Sequence, residues 1–72
     1  MPLAMIEAGR KARVSAVTGA EETKKRLGAL GFVPGAVVAV VQSEKGNMIV
    51  GIHESRIALN ADLARRLMVE PL

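Results

Sequence analysis

Arg26-Leu27-Gly28-Ala29-Leu30-Gly31-Phe32-Val33-Pro34-Gly35 is the stretch that decides the fold. Leu27 and Leu30 are spaced to dock one face of a helix. Gly31 supplies the stop, because glycine tolerates the left-handed conformation that commonly ends a helix. Phe32 is the chain's only aromatic residue and is expected to staple the exit into the core. Pro34-Gly35 then reverses the chain, proline fixing φ and glycine free to take φ > 0. The next segment, Ala36-Val37-Val38-Ala39-Val40-Val41-Gln42, is a strand apolar on both faces.

Upstream, the helix is predicted from about Gly19 to Leu30. Thr18 followed by Glu21 has the spacing of a capping box. Glu21 and Glu22 sit near the N-terminus and Lys24, Lys25 and Arg26 further along, which suits the helix dipole. Thr23, Leu27 and Leu30, with Ala20 beside them, make the apolar face. Before it, Lys11 to Val17 alternates, with Ala12, Val14 and Ala16 on one side and Lys11, Arg13 and Ser15 on the other, the period of a half-buried strand. Leu3 to Ile6 is a short apolar lead, and Gly9 a turn.

Downstream, Glu44-Lys45-Gly46-Asn47 is a hairpin loop. Met48 to His53 returns as a strand, bent at Gly51, and Glu54-Ser55 turns into the short strand Arg56 to Leu59. Asn60 is an N-cap for a helical turn over Ala61 to Arg66. Leu67 to Val69 is the last strand, with Pro71 expected to end pairing. Strand, helix, three strands, short helix, strand, in one domain over residues 1–72, predicts a mainly β fold with short helices. Tight turns and short strands favour a small closed or nearly closed β-barrel. The first helix is expected to cover the outer face of the strand from Ala36, with part of the Ala36 to Val41 face left over for a partner.

Composition supports a packed core and limits chemistry. Half of the residues are hydrophobic, as a domain this small without staples requires. There is no cysteine and one histidine, His53, so no disulfide forms and a zinc site, which needs about four ligands, has no donor set. Ser15, Ser43 and Ser55 lack a nucleophile's setting. No glycine-rich phosphate loop and no paired carboxylates are present. No catalytic residue, metal ligand or cofactor is expected, so the chain is predicted not to be an enzyme. The N-terminus is not patterned as a signal peptide, and the longest apolar run is far short of the about 20 residues of a membrane span. A cytoplasmic protein is expected.

The net charge is +3, a modest bias that admits nucleic acid or an acidic partner. With no Trp or Tyr, stacking on bases is poorly supplied, and so is an aromatic groove for proline-rich peptides. No nucleic acid is expected.

The quoted stretch also resembles the Arg-Leu-x-x-Leu-Gly-(apolar)-x-Pro-Gly signature of the FeoA family. The tail from Ile57 to Val69 is similar to that family's closing segment. The signature residues are Leu27, Leu30, Gly31, Phe32, Pro34 and Gly35. The resemblance implies an SH3-like barrel with one helix across it, related to the C-terminal domain of DtxR-like repressors. It further implies a cytoplasmic accessory of bacterial ferrous iron uptake that docks onto the FeoB transporter, a membrane protein with a G domain, and is recruited to the inner face of the membrane. Phe32 departs from the commoner aliphatic residue, and Gly51 to Glu54 is less basic than usual. For the docking surface, the residues suggest the hairpin end, Lys45, Met48 and Ile49, with Lys24, Lys25 and Arg26 as steering charges. The alternatives are a nucleic-acid-binding small barrel and an oligomer-forming module, for which a weak homo-oligomer is expected.

Overall fold

A computed structural model describes residues 1–72. The chain runs through a 3-10 turn at Leu3–Met5, then β1 (Lys11–Val17), α1 (Glu21–Ala29), β2 (Val37–Glu44), β3 (Asn47–Ile52), β4 (Ser55–Leu59), α2 (Ala61–Arg66) and β5 (Leu67–Pro71). One antiparallel sheet has the order β4-β3-β2-β1-β5. Its two ends contribute to a single core: Leu59 from β4 and Leu67 and Val69 from β5 are buried with Leu27, Phe32, Val38, Val40 and Val50. The sheet is thus folded over on itself as a small barrel-like domain. It does not close by hydrogen bonding, because β4 and β5 remain its ends and α2 connects them.

The signature stretch behaves as its sequence requires. Leu30 caps α1, and Gly31 comes next with φ 103°. The Phe32 N–H donates to the Leu27 carbonyl at 3.0 Å and the Gly31 N–H to the Gly28 carbonyl at 3.0 Å. Those two bonds define a Schellman motif, and its customary apolar pair, Leu27 and Phe32, is buried. The Ala36 N–H donates to the Val33 carbonyl at 3.0 Å, with Gly35 at φ 94°. This is a type II turn with proline and glycine where that turn needs them.

Several expectations are corrected. Leu30 does not dock: it is 46% exposed, because ending the helix at Ala29 carries it past the buried face. Thr18 caps nothing. Gly19 at φ 107° turns the chain first, so the N-cap is Ala20, and the Thr18 hydroxyl donates to the Arg66 carbonyl instead. In β1 a bulge between Val14 and Ala16 shifts the alternation, exposing Ala16 and half-burying Val17. Pro71 does not end pairing: it is aligned with Ala12, and the Leu72 N–H donates to the Lys11 carbonyl. α1 does not cover β2. The helix that packs across the folded sheet is α2, set against the Leu3–Met5 turn, β3, β4 and β5.

Candidate docking site

β2 points Val38 and Val40 into the core and Val37 and Ala39 away from it. Val41 sits in a bulge, where the register with β3 shifts between Val40 and Gln42. With α1 elsewhere, this outer face stays open: Val37 is 41% and Val41 42% exposed. Register extends the patch sideways. Ala39 pairs with Gly51 and Gln42 with Ile49 on β3, and Ile49 in turn pairs with Ala58 on β4. Beside Gly51 the backbone is nearly bare, since an added Cβ would meet only the Ala39 carbonyl at 4.0 Å.

Cations flank this apolar patch. On β1, Lys11 is aligned with Ala39 and Arg13 with Val37. On β4, Arg56 is aligned with Gly51. The ion pairs in the structure are Lys24–Glu21, Arg65–Asp62 and Arg66–Asp62, so Lys11, Arg13 and Arg56 are uncommitted. An apolar strip bordered by free cations suits a partner surface that is apolar at its centre and acidic at its rim.

The hairpin end is built differently from the expectation. Lys45 (φ 53°) and Gly46 (φ 84°) form a tight two-residue turn. The Asn47 side-chain oxygen accepts from the Ala61 N–H at 2.9 Å, and a Cβ on Gly46 would meet the Ala61 Cβ at 3.0 Å. The tip is therefore fastened to α2. Met48 is 2% exposed and belongs to the core, reaching the surface only at the floor of a shallow groove. The reason is register: pairing with Leu59 turns Met48 inward and leaves Ile49 half-buried on the outer side. Ile49 lines a shallow groove with Gln42, Glu44, Asn47, Ala58 and Asn60.

Lys24, Lys25 and Arg26 are exposed on α1. No hydrogen bond or ion pair links them to the hairpin. The chain leaving α1 closes instead on the other end of β3, where a Cβ on Gly31 would meet the His53 ring at 3.2 Å. His53 itself is exposed in the β3–β4 turn at φ 55°. No three His, Asp or Glu side chains gather in one place.

Sequence reasoning marks Arg10, Lys11 and Arg13 as a cluster able to meet an acidic partner, but it does not join Lys11 and Arg13 with Val37, Ala39, Arg56 and Ala58 into one surface. The alternation of β1 and the two-faced pattern of β2 carried part of the signal. The missing part was that no helix lies over them.

A folded-over five-stranded sheet with a short helix across it and one open face defines a small SH3-like β-domain. The chain belongs to the FeoA family, whose FeoA domain model matches residues 1–71. A crystal structure of an iron uptake regulatory protein, FeoA, is 30% identical with a TM-score of 0.93, over 100% of this chain and 97% of that one. FeoA of Stenotrophomonas maltophilia, crystallised with zinc and described as a procaryotic SH3 domain protein, is 29% identical with a TM-score of 0.85, over 97% of this chain and 89% of that one. A manganese-dependent transcriptional repressor shares the fold alone, at 16% identity and a TM-score of 0.90, over 100% of this chain and 41% of that one. No curated protein sequence matches the chain. No helix is long and apolar enough to cross a membrane.

Proposed function

We propose that this chain is a cytoplasmic accessory protein of bacterial ferrous iron uptake that acts by docking onto a FeoB-type membrane GTPase transporter. The family match over residues 1–71 supports the iron-uptake setting. The observation that carries docking is the open outer sheet face, with Val37 and Val41 exposed beside the uncommitted Lys11, Arg13 and Arg56. A domain whose core is already complete gains nothing for its own stability from apolar side chains there. The partner surface it fits is an apolar patch with acidic surroundings, and recruitment to the inner membrane face comes through that partner.

Calorimetric titration of the purified chain against the cytosolic G domain of the transporter from the same source tests this. Val37→Asp places a charge in the patch without touching the core. It should weaken binding at least tenfold while the melting temperature holds within a few degrees, roughly as an exposed substitution does. Undiminished binding by Val37→Asp would exclude this face. A steep fall of nucleic-acid affinity with salt, alongside no transporter binding, would instead select the nucleic-acid reading.

A further inference from the structure

The two ends of the sheet are treated differently. The β5 end is covered: the Val69 N–H donates to the Met1 carbonyl at 2.7 Å, and Pro2 bridges to Met68. That strand also pairs across a bulge with β1 and ends in Pro71. β4 has none of this. Its only partner is β3, and the ladder runs without a bulge from Met48–Leu59 to Ile52–Ser55. No hydrogen bond outside that ladder reaches residues 55–59. Natural edge strands are usually blunted by proline, lysine, a bulge or an inward-pointing charge. Ser55-Arg56-Ile57-Ala58-Leu59 carries only Arg56, which stands on the outer face with Ala58.

We infer that β4 is the seam of a two-fold homodimer, in which β4 pairs antiparallel with β4 of a second copy, centred on Ile57. This register uses the whole strand. Ile57 faces its symmetry mate, Ser55 faces Leu59 of the second copy, and Arg56 faces Ala58 of the second copy. Side chains directly opposite one another share a face in an antiparallel pair. Each Arg56 therefore meets a small neutral side chain, and the two arginines lie on a diagonal. Sliding the pairing toward the N-terminus would set Arg56 against Arg56, and sliding it the other way shortens the overlap. The charge pattern of β4 thus singles out one register for self-pairing. Ile57, half-buried against the core in one copy, is covered further by its mate. The axis stands normal to the sheet, so the open outer faces of the two copies become continuous. The interface is isologous and closes on itself, so it yields dimers rather than fibres. Nothing in this seam depends on the transporter reading, because it is an edge of the sheet and needs no other protein.

Sedimentation equilibrium on the full chain tests it. Ala58 is exposed, so substitutions there leave the fold intact, and melting curves verify this. Ala58→Glu would place a carboxylate opposite Arg56 of the second copy, twice per dimer by symmetry, and should tighten dimerisation by roughly fivefold. Ala58→Lys should weaken it by about the same factor. The double variant Arg56→Glu/Ala58→Lys reverses both charges and should regain at least the wild-type affinity. A wild-type chain that stays monomeric at about 1 mM overturns the inference, since even weak specific pairs associate there. A dimer that responds equally to glutamate and lysine at position 58 also overturns it.

Discussion

The two helices answer the same problem in opposite ways. α1 is the longer, its apolar spacing and charge gradient are plain in the sequence, and yet it buries one side chain, Leu27. Its N-cap, Ala20, offers no acceptor to the first-turn amides. α2 is shorter, but it is tied at its start from two directions. Asn60 accepts from the Leu63 N–H at 2.8 Å and Asn47, from the hairpin, accepts from the Ala61 N–H. It then buries Ala64, with Leu63 partly covered, against the Leu3–Met5 turn and the sheet. Helix formation is costly to nucleate, so caps and packing outweigh length. α2 is part of the core's wall, and α1 is a helix hung from its C-terminal end.

The sharpest way to break this contrast is to remove the one anchor of α1. Leu27→Ala deletes a side chain that is fully buried beside Phe32, and should cost about 2–5 kcal/mol, a large part of the stability of so small a domain. Urea denaturation measures the total. Amide exchange measures where it falls: residues of α1 should lose protection well before those of α2. Equal loss in both helices would show that α1 is held by more than Leu27.

A smaller effect sharpens the other side. Asn60→Ala removes the side-chain acceptor for the Leu63 N–H and should cost about 1 kcal/mol. Because Asn47 still satisfies the Ala61 N–H, α2 should remain folded in the variant at room temperature. Denaturant midpoints and the exchange rate of the Leu63 amide report this. A cost within about 0.3 kcal/mol would mean that water replaces the cap.

The features legible in the sequence are those written in single residues. Gly31 and Gly35 each need a positive φ, Pro34 fixes its neighbour's turn, and Asn60 has one preferred use. Those that escape it depend on register or on a third element. The bulge after Val14 leaves no mark in the alternation of β1, so periodicity alone puts Ala16 on the wrong side. Thr18 and Glu21 have capping-box spacing, but Gly19 between them spends a residue on a bend. Met48 and Ile49 are chemically equivalent as candidate contacts, and only pairing with Leu59 and Ala58 decides which turns inward. For the candidate docking face, the sequence shows that β2 is apolar on both sides and cannot show that its outer side lacks a cover. That depends on α2, with its small Ala64, rather than α1 being the helix that packs.

The smallest expected effect repairs α1 instead of breaking it. Ala20 already has the extended backbone of an N-cap, φ −67° and ψ 152°, and its carbonyl accepts from the Lys24 N–H at 3.0 Å. It lacks only a side-chain oxygen. The Thr18 hydroxyl is turned away to donate to the Arg66 carbonyl. Ala20→Ser supplies the acceptor without adding a third negative charge to Glu21 and Glu22, and the position is exposed, so no packing is disturbed. Stability should rise by about 0.5–1 kcal/mol, and the gain should appear as slower exchange at the Glu22 and Thr23 amides. In the Leu27→Ala background the gain should shrink, because a cap cannot stabilise a helix that has already detached. A full, additive gain in that background would show that α1 persists without its anchor, and the contrast between the two helices would then rest on capping alone.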